Sequence, residues 1–233
     1  MLRLEGVDVY IQASEILRGI CLEVGEREVV CLVGRNGAGK TTTLRAIMGY
    51  LRPRAGRITF LGHDIVGRRT HQIARLGIGY APEGSAIFPD LTVAENVEIS
   101  TWTRPGGRPG RERIEQAYAT FPQLRRYLQR KGTQMSGGER KMLSIARALA
   151  LDPTMLLLDE PFEGLSPAII PEVSRGVAAI TEQGQSILLA ESNIHHLPPF
   201  ATRLYVIERG EIVFAGHPAD VWRDAAVLRI IGG

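Results

Sequence analysis

A chain of 233 residues, 44% apolar and 23% charged, suffices for one large α/β domain, or for a core with a smaller subdomain, and for a sizeable buried interior. No run approaches the roughly 20 apolar residues of a membrane span, and Met1 to Val9 alternates apolar with polar residues, unlike a signal peptide. Lysine and arginine exceed aspartate and glutamate by only 28 to 25, too small a surplus to mark a nucleic-acid footprint. The arginine clusters in YLRPRAGRI, VGRRT and RPGGRPGRERI read first as solvated surface and second as contacts with a membrane surface or an acidic partner. Cys21 and Cys31 lie in apolar strand-like runs; two cysteines cannot build a disulfide framework, and both read as buried thiols of a reducing cytosol.

In chain order, the first third is β-rich. Leu2, Leu4, Val7 and Val9 alternate imperfectly, as do Ile20, Leu22 and Val24. EVVCLVG is a continuous apolar run ending in glycine, the pattern of a buried parallel strand. TTTLRAIMGY is a helical run, and ITFLGHDI after Gly56 reads as a short strand and turn. At Thr92 the pattern turns helical: TVAE is a capping box with Thr92 as N-cap and Glu95 reaching back. TRPGGRPGR, Thr103 to Arg111, is a loop that neither helix nor strand crosses.

Helical spacing resumes in RERIEQAYATF and again from Glu139 to Leu149. TMLLLDE reads as a second buried parallel strand, followed by a helix from about Ala168 to Gln183 and a third strand, SILLAES. LYVIERGEIVFAG reads as a hairpin turning at Arg209-Gly210. Strands alternating with helices predict an α/β fold with a mostly parallel sheet. An N-terminal antiparallel β subdomain precedes it and an inserted helical subdomain interrupts it. The expected division is a core of residues 1–85 and 150–233, with the helical subdomain over 86–149.

GRNGAGKT, Gly34 to Thr41, matches the phosphate-loop pattern G-x-x-x-x-G-K-[ST] in full, between a strand and a helix. Gly34, Gly37 and Gly39, with Arg35, Asn36 and Ala38 between them, supply backbone N–H groups that can curl around phosphate oxygens, and the helix start adds partial positive charge. Lys40 reaches the β and γ phosphates and the Thr41 hydroxyl ligates Mg²⁺. Thr41, Thr42 and Thr43 make a poor helix start by propensity, so hydroxyls are wanted there. A chance match has odds of roughly one in a hundred at average residue frequencies, and the strand–helix context lowers them further. Asp159, at the C-terminal end of TMLLLDE, is placed to hold Mg²⁺ through water. Glu160 follows it and takes the role of general base toward a water beyond the γ phosphate.

SGGE is a second capping box, Ser136 as N-cap and Glu139 at the third helical position. That accounts for the serine and the glutamate. It leaves Gly137 and Gly138, which make sense if an anion must approach a bare helix N-terminus. SGGERKMLSIARAL, together with the phosphate loop and LLLDEP, resembles the ATP-binding subunit of an ABC transporter over essentially the whole chain. The resemblance implies a P-loop NTPase core and ATP hydrolysis with ATP and Mg²⁺. It implies that Ser136, Gly137 and Gly138 close in trans on the ATP of a second subunit, homodimeric or heterodimeric, packed head to tail, with Glu139 counted among the nucleotide-binding residues. It further implies integral membrane permease subunits, indirectly a substrate-binding protein, no nucleic acid, and a peripheral place on the cytoplasmic face of the inner membrane.

Departures from the family pattern narrow the reading. Glu83, in YAPEGSAIF, stands where a glutamine is usual and can still ligate Mg²⁺ or its waters. Ile87 and Phe88 fall where subunits of the family touch the membrane partner, and folding against the helical subdomain explains them nearly as well. Ser192 stands at the usual switch histidine; it can hydrogen-bond a γ phosphate but carries no charge. His195 and His196 follow one helical turn on, as substitutes or as polar surface. The adenine-stacking aromatic falls at Tyr10 or Ile11, and Tyr10 is the aromatic available, with packing on the sheet as its other reading. Glu83, MSGGE, EGLSP and the missing histidine resemble importers of branched-chain and other hydrophobic amino acids. Urea or amide importers and a soluble non-transport ABC protein are the alternatives.

Overall fold

The computed structural model describes residues 1–102 and 107–231. Its strands are β1 (Leu2–Ile11), β2 (Ser14–Val24), β3 (Val29–Val33), β4 (Ala55–Phe60), β5 (His63–Asp64), β6 (Ile78–Ala81), β7 (Met155–Asp159), β8 (Ser186–Glu191), β9 (Arg203–Glu208) and β10 (Glu211–Gly216). Its helices are α1 (Lys40–Ile47), α2 (Thr70–Leu76), α3 (Val93–Glu98), α4 (Gly110–Thr120), α5 (Gly137–Leu149), α6 (Ile170–Glu182) and α7 (Ala225–Ile231). They form two compact units, one of Met1–Ile73 with Ser186–Gly233, the other of Ala74–Gln185.

In the first unit, β2, β1, β4 and β5 make an antiparallel sheet in that order. β1 buries Leu2, Leu4, Val7 and Val9 on one face, and its alternation is imperfect because the pairing with β2 shifts register three times. β3 is buried at all five residues and lies parallel between β8 and β9. Burial of the Cys31 thiol there, and next the Glu191 carboxylate, push its pKa up to about 12. Cys21 corrects the expectation of two buried thiols. β2 points Ile20 and Leu22 inward, so period-two alternation turns Cys21 out to solvent. β9 and β10 close a hairpin through Arg209 and Gly210, with φ of 48° and 83°, the two positive values that a right-twisted hairpin turn requires. A Cβ on Gly210 would stand 2.1 Å from the Ile16 carbonyl, so glycine is obligatory there.

In the second unit, β6 and β7 pair in parallel in register from Ile78 with Met155 to Ala81 with Leu158. α5 packs on both strands, and α3 and α4 pack on α5. The Thr92 capping box forms as read, with Glu95 accepting from the Thr92 N–H at 2.7 Å. Phe121 is buried against α6 at Gly176, where an added Cβ would lie 2.2 Å from the ring. The proline–glycine loop expected over Thr103–Arg111 lies in part outside the described residues; its end is helical, since α4 starts at Gly110. Among the described residues no helix is long and apolar enough to cross a membrane.

Candidate functional site

In the first unit the strand β3 delivers Gly34 to a position that no side chain can share. Its N–H donates to the Glu191 carbonyl at 3.2 Å, and a Cβ would meet the Ile207 carbonyl at 2.3 Å. The loop then turns through an Ala38 N–H to Arg35 carbonyl bond of 3.0 Å, with Gly37 and Gly39 at φ of 81° and 117°. A Cβ on Gly39 would press on Leu17 at 2.7 Å. The hairpin supports the loop from behind, Gly210 N–H donating to Ala38 at 2.9 Å. Arg35, Asn36 and Gly37 are exposed.

Gly39 offers α1 no side-chain cap, and its first turn contains no acidic residue. The first N–H groups of a helix have no intrahelical acceptor, so this start has the electrostatics of a phosphate site. Lys40 is 4% exposed, its ammonium folded onto the loop by donating to Gly34 at 2.6 Å and Arg35 at 3.2 Å. Thr41 and Thr42 are half-buried, whereas the Thr43 hydroxyl donates back to Gly39 at 2.9 Å. Of the three threonines, the third serves the helix.

Tyr10 donates to Glu15 at 2.7 Å, and the Arg54 guanidinium lies 4.8 Å over its ring. One face of that ring is thus taken; the neighbouring Ile11 is 43% exposed. Ser192 follows β8 half-buried. His195 faces Trp222, with ring centroids 5.9 Å apart, and His196 Nδ1 lies 3.6 Å from the fully buried carboxylate of Glu191.

The second unit assembles the carboxylates. Asp159 ends β7 at 1% exposure and accepts from the Tyr80 hydroxyl at 2.9 Å. Glu160 is 3% exposed with φ of 47°, a left-handed conformation that is costly for a residue bearing a Cβ. Lys141 of α5 donates to the main-chain carbonyls of Glu160 at 2.8 Å and Glu83 at 2.6 Å. Glu83 itself is exposed. Glu163 joins this group. Burial first, then the charges of Glu160 and Glu83 and a hydrogen bond with Glu83, lift its carboxyl above the usual range, and Lys141 opposes the rise.

Among the described residues no three histidines, cysteines, aspartates or glutamates converge as a metal cage. The hydroxyl of Thr41 in the first unit, and the carboxylates of Asp159 and Glu83 in the second, are each hard oxygen donors of the kind that Mg²⁺ takes.

α5 opens with its capping box in place. Ser136 Oγ accepts from the Glu139 N–H at 3.3 Å, and Glu139 accepts from the Ser136 N–H at 2.7 Å. Burial of Glu139 alone would raise its pKa; the two bonds from Ser136, then a hydrogen bond from Tyr127 and the charge of Arg130, together outweigh it and the carboxyl sits below its usual range. The two glycines differ. A Cβ on Gly138 would meet Ile169 at 2.7 Å, while one on Gly137 would have nothing within 4 Å. Packing within the chain explains Gly138, but not Gly137.

Sequence reasoning passed over Tyr80 and Lys141. Tyr80 had no signal beyond a short strand. Lys141 had one: it stands four residues before Ile145 and eight before Leu149, on the apolar face of α5.

Residues 17–163 match the family model described as ABC transporter. The chain is similar to the high-affinity branched-chain amino acid transport ATP-binding protein BraG of Pseudomonas aeruginosa, 37% identical over 214 residues that cover 91% of each chain. It is also similar to the lipopolysaccharide export system ATP-binding protein LptB of Acidithiobacillus ferridurans, 34% identical over 218 residues, 94% of this chain and 90% of that one. Among solved structures, the ADP conformation of MJ1267, an ATP-binding cassette of an ABC transporter, matches with a TM-score of 0.84 at 27% identity, over 100% of this chain and 99% of that one.

Proposed function

The chain belongs to the ABC transporter family as an ATP-hydrolysing subunit, and we propose that it powers an importer of branched-chain or related hydrophobic amino acids. In this reading Lys40, the N–H groups from Gly34 to Gly39, and Thr42 bind the phosphates. Thr41, Asp159 and Glu83 hold Mg²⁺, whose charge offsets that building on the phosphate oxygens. Glu160 takes the proton of the attacking water, and Ser192 orients the γ phosphate by hydrogen bonding. Tyr10 flanks adenine with the ring face that Arg54 does not cover.

Ser136, Gly137, Gly138 and Glu139 serve the nucleotide of a second ATP-binding subunit, the two chains lying head to tail. The observation that carries this is the exposed Gly137, with open space where its side chain would be. Nothing among the described residues asks for glycine there, whereas an approaching anion does. Permease subunits then hold the pair at the cytoplasmic face of the membrane.

Import of amino acids is supported by the 37% identity to BraG; the comparable likeness to LptB favours lipopolysaccharide export as the second reading. Cells lacking the chain distinguish the two. Slower uptake of radiolabelled leucine is expected. Normal uptake with lipopolysaccharide retained in the inner membrane would establish the export reading instead.

A further inference from the structure

Helix α5 carries a lysine where its spacing calls for an apolar residue. Lys141 shares the buried face with Ile145 and Leu149 and is 5% exposed. An ammonium withdrawn from water is costly unless its protons are matched, and a leucine would fill the place without that cost. The matching is specific: Nζ donates to the main-chain carbonyls of Glu160 at 2.8 Å and Glu83 at 2.6 Å. Through them the lysine fixes the path of two loops.

Both loops are strained. Glu160 has φ of 47°, and Ser85 and Ala86, just after Glu83, have φ of 61° and 43°. Left-handed residues other than glycine persist only where their surroundings hold them. A second cation of α5 grips the same loop, Arg147 donating to the Ala86 carbonyl at 2.7 Å with its guanidinium 4.6 Å over the Phe88 ring.

We propose that Lys141 is a positioning residue for ATP hydrolysis, aiming the Glu160 side chain by holding the main chain of Glu160 and Glu83 together. The inference rests on the reading of Glu160 as general base. Displacement of the Glu83 loop is passed to Glu160 through one ammonium. The role assigned to Lys141 is exerted on Glu160, so its loss lowers turnover far more than nucleotide affinity.

The full chain is tested in three variants. Lys141→Met keeps the stem without donors, Lys141→Gln restores neutral N–H donors, and Glu160→Gln removes the base. For Lys141→Met, kcat falls at least about tenfold while KM for ATP stays within about threefold, and affinity for a non-hydrolysable ATP analogue is unchanged. Lys141→Gln recovers most of the loss. In nucleotide-free protein, amide exchange quickens in Lys141→Met at Glu163 and Ser85, whose N–H groups bond the Glu160 and Pro82 carbonyls at 3.3 and 2.9 Å, and not elsewhere. Turnover within about twofold of the parent overturns the proposal. So does a kcat loss with faster exchange throughout the chain and no recovery in Lys141→Gln. If the methionine variant does not fold, Lys141→Ser, too short to reach either carbonyl, is read by the same split. Full turnover in Glu160→Gln overturns the general base itself, and the exchange at Glu163 in Lys141→Met shows separately whether the lysine holds the loop.

Discussion

Gly137 and Gly138 are adjacent, chemically identical and set for different reasons. At Gly138 a Cβ would meet Ile169 at 2.7 Å; at Gly137 it would meet open space. Stability and activity should therefore part at these two positions. Gly137→Leu replaces a poor helix former with a good one and is expected to leave the melting temperature unchanged or raise it, by no more than about 1 kcal/mol of stability, while cutting ATP hydrolysis at least about tenfold. Gly138→Leu is expected to lose stability as well as turnover, because a packed neighbour must move. Thermal melts and steady-state ATPase rates on the two variants check this. Equal melting losses in both would show that Gly137 is a folding residue after all.

At the scale of elements, both capping boxes couple helix starts to pH. The Thr92 backbone N–H, then its hydroxyl, hold the Glu95 carboxyl below its ordinary value of 4.5; for Glu139 burial pushes the other way, and Ser136, with Tyr127 and Arg130, overcomes it. A carboxyl whose folded pKa is depressed stabilises the fold above its unfolded pKa and loses that contribution as pH falls through the folded one. Replacing both glutamates by glutamine keeps acceptors at the caps without a titrating charge. Urea unfolding at about pH 7 and about pH 4 should show a smaller drop in the double variant than in the parent chain. An identical drop in both would place the acid sensitivity elsewhere.

The same elements show what the sequence makes legible. Signals that are local chemistry were readable: the two capping boxes, the hairpin at Arg209-Gly210, and the continuous apolar strands β3, β7 and β8. Elements too short to show a period, α2 at seven residues and β6 at four, had no local signature. The orientation of Cys21 depended on the phase of β2, and the partner over the Tyr10 ring came from Arg54, far along the chain. The place of Lys141 on the apolar face of α5 was legible, but what it binds was not. Its partners are backbone carbonyls, which every residue has, so no residue type announces them.

For the whole molecule, the central claim is that each pocket combines the phosphate loop of one chain with the α5 start of another. A head-to-tail pair of this kind turns two half-sites into two sites related by rotation. Loss of Lys40 in one chain and of Gly137 in the other then places both defects in one pocket and leaves the second pocket whole. The direct measurement mixes Lys40→Ala with Gly137→Leu, each expected to be at least about tenfold slower alone, and follows ATP hydrolysis. Recovery to about a quarter of the parent rate is expected, since half the random dimers are mixed and each has one of two sites intact. A mixture as slow as its components would mean that each chain completes its own pocket, and would contradict the account.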